Sequence, residues 1–315
     1  FGFGFGIIPY SSVGYSLQSK NENGDLAYRY RGNGGINRVF FGFGYQLFKG
    51  LKIGIDTHYN FGNISNTSIA YGYNDQGQLL QYQSRDERRS DLGGFSYNLG
   101  IILNQKLSKS YELMASFTYT PESKISSENN NQFSTISIDA NQVEFVQSTS
   151  EIDLEAMSLA RTKLILPSKI SIGAGLGKPR KWFLGFDYTL LEASKFSHRF
   201  VEIENSSFED ASSLSVGGFF IPKYDSFSSY WKRIVFRSGI RFENTGLVVN
   251  NESIDEFGIS FGVGLPVGRL FSNANIGFEW GKRGTTNANL VEENFYNINI
   301  SLSLNERWFE KRKFN

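Results

Sequence analysis

The chain has 315 residues with 32 Lys plus Arg, 31 Asp plus Glu and 2 His, and its formal net charge of +1 offers no bulk attraction to nucleic acid. The absence of Cys excludes a disulfide scaffold, a thiolate metal site and thiol catalysis. No stretch approaches the roughly 18 consecutive apolar residues of a membrane helix. Yet 29 Phe, 16 Tyr and 33 Gly suit strands with one oily and one wet face. A mean hydropathy of −0.31 hides that pattern because the two faces cancel.

In chain order, Phe1, Phe3, Phe5 and Ile7 alternate with Gly2, Gly4 and Gly6, and Val13, Tyr15 and Leu17 continue the strand beyond Pro9. A Pro inside a strand removes a ladder donor and predicts a kink or bulge there. The first residues already read as mid-strand and carry no signal peptide, so further residues are expected to precede them. Residues 19–37, with Gly32-Asn33-Gly34-Gly35, read as a loop. Val39, Phe41, Phe43, Tyr45 and Leu47 then run to a turn at Lys49-Gly50, and Leu51, Ile53, Ile55, Thr57 and Tyr59 leave it, a predicted hairpin. Residues 60–90 read as a protruding hairpin ending in the cluster Arg85-Asp86-Glu87-Arg88-Arg89.

Phe95, Tyr97, Leu99, Ile101 and Leu103 pair through a turn with Leu113, Ala115, Phe117 and Tyr119. Residues 121–160, with seven acidic side chains and one Lys, read as a long loop. Ile170, Ile172, Ala174 and Leu176 pair through Pro179-Arg180 with Trp182, Leu184, Phe186, Tyr188 and Leu190. Two strands follow around a connector at residues 222–232. The alternation is clearest in residues 257–265, in Ala274, Ile276, Phe278 and Trp280, and in Tyr296, Ile298, Ile300, Leu302 and Leu304. About twelve crossings result, each near the ten residues that a tilted strand needs to span a bilayer.

Short turns near 49, 107, 179, 227 and 269 carry Lys49, Lys106, Lys109, Lys178, Arg180, Lys181, Lys232, Arg233 and Arg269, and are expected on the periplasmic side. With the oily face toward lipid, Asp56, His58, Glu112, Asp187, Arg237, Arg241, Glu243 and Glu279 face the lumen. A charge on the lipid side near the midplane would cost on the order of 2 to 4 kcal/mol.

Enzyme-like motifs do not hold up. Gly258-Ile259-Ser260-Phe261-Gly262 has the nucleophile-elbow spacing but lies inside an alternating strand, not at a strand-to-helix turn. Gly173-Ala174-Gly175-Leu176-Gly177-Lys178 lacks phosphate-loop spacing and is followed by Pro. His58 and His198 fall on different hairpins without a ligand-spaced partner. No catalytic residue, metal ligand or cofactor is expected.

The segments Ile8-Pro9-Tyr10-Ser11-Ser12-Val13-Gly14-Tyr15 and Gly32-Asn33-Gly34-Gly35-Ile36-Asn37-Arg38-Val39 resemble FadL-type outer-membrane transport proteins as they occur in Bacteroidota. So does the ending Leu304-Asn305-Glu306-Arg307-Trp308-Phe309 with Lys311-Arg312-Lys313. The resemblance implies a fourteen-stranded barrel with an N-terminal hatch, twelve crossings being in this sequence and the hatch absent from it. It also implies passive uptake of small hydrophobic compounds such as fatty acids.

The expected fold is all-β, a single transmembrane antiparallel barrel over 1–315 in the bacterial outer membrane, among its lipids and lipopolysaccharide. Its long extracellular loops are expected at about 60–90 and 121–160. Gly2, Gly4, Gly6 and Pro9 are the expected lateral exit, because the glycines leave the inner face bare and Pro9 lacks a ladder donor. The alternative function is a non-transporting barrel subunit of a larger outer-membrane complex for protein secretion, barrel assembly or surface-protein handling. Its partners would be other outer-membrane proteins, held through residues 60–90 and 121–160.

Overall fold

A computed structural model describes residues 1–139, 141–196, 205–267 and 272–303. The strands are β1 (Gly2–Lys20), β2 (Leu26–Phe48), β3 (Leu51–Ala70), β4 (Gln83–Lys106), β5 (Glu112–Thr120), β6 (Ser123–Ile138), β7 (Glu144–Glu151) and β8 (Arg161–Leu166). They continue as β9 (Lys169–Lys178), β10 (Trp182–Leu191), β11 (Ser206–Phe208), β12 (Ala211–Phe220), β13 (Val235–Val249), β14 (Glu252–Val267), β15 (Ser272–Gly284) and β16 (Glu292–Ser303). The main ladder runs β1-β2-β3-β4-β5-β9-β10-β12-β13-β14-β15-β16, so the expected twelve crossings are present, in an all-β transmembrane antiparallel barrel. β1 and β16 are the ends of this path and, among the described residues, each pairs on one side only. Phe3 is 68% and Ile300 77% exposed, against 43% for Phe43 and Ile276 on inner strands, because an edge strand has a neighbour on one side only.

Period-two alternation sorts the wall into two faces. One outward row reads Leu184, Gly218, Ser238, Phe261 and Phe278 across β10, β12, β13, β14 and β15. The matching inward row one residue away reads Gly185, Gly217, Gly239, Ser260 and Glu279. Ser260 donates from Oγ to the Gly239 carbonyl at 3.4 Å within an unbroken strand, so no nucleophile elbow forms.

A bend line crosses the N-terminal half of the wall. In β1 the register slips between Pro9 and Ser11, the bulge that Pro9 predicts, with Tyr10 as the extra residue. In β2 and β3, Gly34, Gly35 and Gly62 take positive φ, and a Cβ there would strike the carbonyl oxygens of Asn63, Ser11 and Gly35. Pro121 then separates β5 from β6, and Pro167 separates β8 from β9. β4 pairs with β5 below this line and with β6 above it.

Above the line the structure corrects the sequence reading. Residues 19–37 are not a loop: β1 runs to Lys20 and β2 begins at Leu26, around a turn in which Gly24 N–H donates to the Asn21 carbonyl. Residues 60–90 are the protruding hairpin read from the sequence, paired as strands up to its tip, whereas residues 121–160 are not a loop. β3 reaches Ala70, β4 starts at Gln83, and β6, β7 and β8 fill most of the second segment. Strands beyond the bilayer meet water, so they lack the apolar alternation that marks a lipid-facing strand, and polarity mimics a loop. The upper strands form a platform joined to the barrel. The ending at residues 304–313, His198 and Arg269 lie outside the described residues.

A marker for orientation is the turn at Gln142, whose N–H donates to the Asp139 carbonyl. A protease site inserted after Gln142 should be cut on intact cells, while one at Pro179 in the short β9–β10 turn should be protected. Cleavage at Pro179 alone would invert the orientation.

Candidate functional site

The inner face is layered from the short turns upward. Nearest them is a trough of about 550 Å³ whose floor is glycine, from Gly173 and Gly175 on β9 to Gly258 on β14. Ile102, Met114 and Phe183 wall one end, and Asp187, Arg241 and Glu279 the other. Phe183 stacks on Phe219 with centroids 6.2 Å apart. These apolar residues share the inward parity of the lumen charges, and the reading of outward alternation passed over them. A second trough of about 730 Å³ lies against β1 to β4, where Gly2, Gly4, Gly42, Gly54 and Gly100 meet Asp56 and Asn98. Gly2 and Gly4 therefore border an inner cavity. At Gly6 a side chain would meet the Phe40 ring.

The lumen charges are not one site. Arg241 collects three carboxylates: Glu243 at 2.6 Å, Glu279 at 3.2 Å and Glu256. Glu256 also holds Arg283, and Glu279 accepts from Asn297 Nδ2 at 3.1 Å, so the network stitches β13 to β16. Glu256 is only 4% exposed and is the most buried charge here, yet sequence reading missed it. Its parity with Gly258 and Ser260 was the available signal. The other expected residues lie outside this ion-pair network, although Asp187 lines the same trough as Arg241 and Glu279. Asp56 accepts from Asn98 at 3.4 Å, Glu112 pairs with Lys106 at 3.9 Å, Asp187 accepts from Thr189 at 3.3 Å, and Arg237 donates to Asn275 at 3.0 Å. His58 is buried with no hydrogen-bond partner on Nδ1.

At the bend line the inner face changes character. Arg38 lies 3.8 Å above the Tyr10 ring and donates to Asn60 at 2.9 Å, and Asn60 passes the chain of hydrogen bonds to Ser96 at 2.9 Å. The bulge at Pro9 thus presents Tyr10 to a cation. Over this polar layer sits an aliphatic one: Ile36, Leu92, Ile125, Leu164 and Leu166, all buried, with Ile64 against them. Gly94 has no room for a side chain because Ile125 occupies it.

The platform above has a separate interior. Ile69 and Ile136 are fully buried, and Glu144 at the start of β7 joins Arg31 and, at 3.5 Å, Arg85. Arg29 lies 5.6 Å from the Tyr71 ring. Burial pushes the Tyr71 hydroxyl above its usual pKa, with Arg29 acting in the opposite direction. A part-buried charge network thus joins β7 to β2 and β4.

The BamG family model matches residues 1–315. The chain belongs to the BamG family. Among solved structures, a Pseudomonas aeruginosa FadL homologue is 13% identical over 89% of this chain and 69% of its own, with a TM-score of 0.51. This likeness shows a FadL-like barrel fold for the chain. The CymD monoaromatic hydrocarbon channel is 13% identical over 89% of this chain and 81% of its own, with a TM-score of 0.49. The Ralstonia pickettii toluene transporter TbuX is 11% identical over 95% and 76%, also at 0.49. No curated protein matches in sequence.

Proposed function

We propose that this BamG-family chain is a non-transporting barrel subunit of a larger outer-membrane complex that secretes, assembles or handles other surface proteins. The observation that carries the reading is the platform, in which β2, β3 and β4 continue past the bend line as ordered strands with β6, β7 and β8 beside them. A rigid, folded surface above the bilayer suits the holding of another protein, whereas a channel needs only a path. The aliphatic layer supports the same reading, since it packs β6 and β8 of the platform onto β2 and β4. Family membership adds support, because the matching family is BamG.

One observation favours the alternative, a channel for small hydrophobic compounds such as fatty acids. The glycine-floored trough with Ile102, Met114 and Phe183 has room for a small apolar molecule, and the bulge at Pro9 would be its sideways exit.

Deleting the gene separates the two. The subunit reading expects other outer-membrane proteins to fall in amount or lose their folded form, with uptake of a hydrophobic tracer unchanged. Reduced uptake with an unaltered set of outer-membrane proteins would establish the channel instead.

A further inference from the structure

The lipid side of the wall is not uniform. In the outward row Leu184, Gly218, Ser238, Phe261 and Phe278, two neighbouring strands carry almost no side chain between bulky ones. The next row toward the short turns is Trp182, Phe220, Phe236, Val263 and Ile276. The row on the other side, away from the short turns, is Phe186, Val216, Ile240, Ile259 and Trp280. The result is an apolar notch of about 850 Å³ spread over β10 to β15, whose floor is barest at Gly218 and Ser238. The gap at Gly218 is enforced, because a Cβ there would strike the Phe183 carbonyl oxygen.

The notch opens toward a concentration of cations. Phe220 and Phe236, which wall it, lead into the connector that carries Lys223, Lys232 and Arg233. Ile221 N–H donates to the Lys181 carbonyl at 2.7 Å, which binds this connector to the β9–β10 turn with Lys178, Arg180 and Lys181. Six cations thus share one rim with a single carboxylate, Asp225, in the connector. No ion pair involves any of the six among the described residues. Arg180 and Arg233 lie instead over the rings of Tyr224 and Tyr230 at 5.3 and 5.4 Å, and Arg233 Nε is buried without a hydrogen-bond partner. Phe227 and Trp231 stand fully and largely exposed beside them, as aromatic residues do at a membrane interface.

We propose that notch and rim form a binding site for one anionic phospholipid of the periplasmic leaflet. An acyl chain lies in the groove over Gly218 and Ser238, and the phosphodiester is held by Lys232, Arg233 and the β9–β10 turn. Charge decides the occupant: cations without carboxylate partners sit at headgroup depth, and an apolar slot lies directly below them. The site is specific because the neighbouring outward rows are filled by their own side chains.

The test uses the full chain, purified folded and mixed with micelles holding equal amounts of phosphatidylglycerol and phosphatidylcholine, and reads the lipid retained by native mass spectrometry. One phosphatidylglycerol should be retained in preference to phosphatidylcholine. In Lys232→Gln with Arg233→Gln its apparent affinity should fall about tenfold or more. Ser238→Phe, which fills the notch without touching the rim, should also lower retention while leaving the heat-modifiable folded band intact. Equal retention of the two lipids, or retention unaffected by both variants, would overturn the site. So would a photo-crosslinker at Phe227 that captured a protein partner and no lipid in native membranes, because the rim would then be a protein contact.

Discussion

Arginine in place of Phe261 should destabilise the folded barrel by about 2 to 4 kcal/mol, whereas arginine in place of its neighbour Ser260 should cost much less. Phe261 lies on the outward row with Leu184 and Phe278, 55% exposed to what is lipid in the membrane. It is six residues from the end of β14 at Val267, which puts it roughly 15 Å inside the bilayer for a strand tilted about 40°. A guanidinium there loses its water with no partner. Ser260 points the other way, into the glycine-floored trough beside Glu279, where a new cation meets a carboxylate. Urea unfolding in lipid vesicles measures the difference, and equal losses would show the two faces to be reversed.

Replacing Glu256 should be the most damaging change on the inner face. Its carboxylate is nearly inaccessible and bridges Arg241 and Arg283. Glu256→Gln leaves Arg241 with Glu243 and Glu279 but removes the carboxylate that Arg283 grips. Removing one member of a buried pair typically costs about 3 to 5 kcal/mol. Because Arg241 and Arg283 are partly hydrated, about 2 kcal/mol is the expected loss here. The double variant Glu256→Gln, Arg283→Gln should recover part of it, since the orphaned cation is gone. Double-mutant unfolding free energies that simply add would show that the two do not interact.

What could be read from the sequence follows from where the chain meets lipid. Phe41, Phe95, Phe261 and their rows alternate because one face must be apolar and the other cannot be, so the strands and their two faces were legible, and Arg241, Glu243 and Glu279 share one face on which they pair. The bulge at Pro9 was legible too, because proline lacks the donor that the ladder requires. The platform was not. Glu128, Asn130 and Gln132 are paired strand residues, but with water outside the bilayer nothing enforces an apolar alternation, and pairing leaves no mark within a single strand. Partners within the lumen were equally hidden. That Glu256 meets Arg241 and Arg283 depends on the register of three strands, while the apolar alternation of its own strand begins one residue later, at Phe257.

The proposed role as a subunit is tested most directly at the platform. Phe145 and Val146 on β7 are about half exposed, on the strand that Glu144 anchors to Arg31 and Arg85. A photo-crosslinking residue at either position, in cells at native expression level, should yield a discrete adduct with another outer-membrane protein. The same residue at Tyr296 on the lipid face of β16 serves as the reference. Adducts at Tyr296 but none at Phe145 or Val146, together with loss of hydrophobic-tracer uptake on deletion, would contradict the subunit reading and leave the channel in its place.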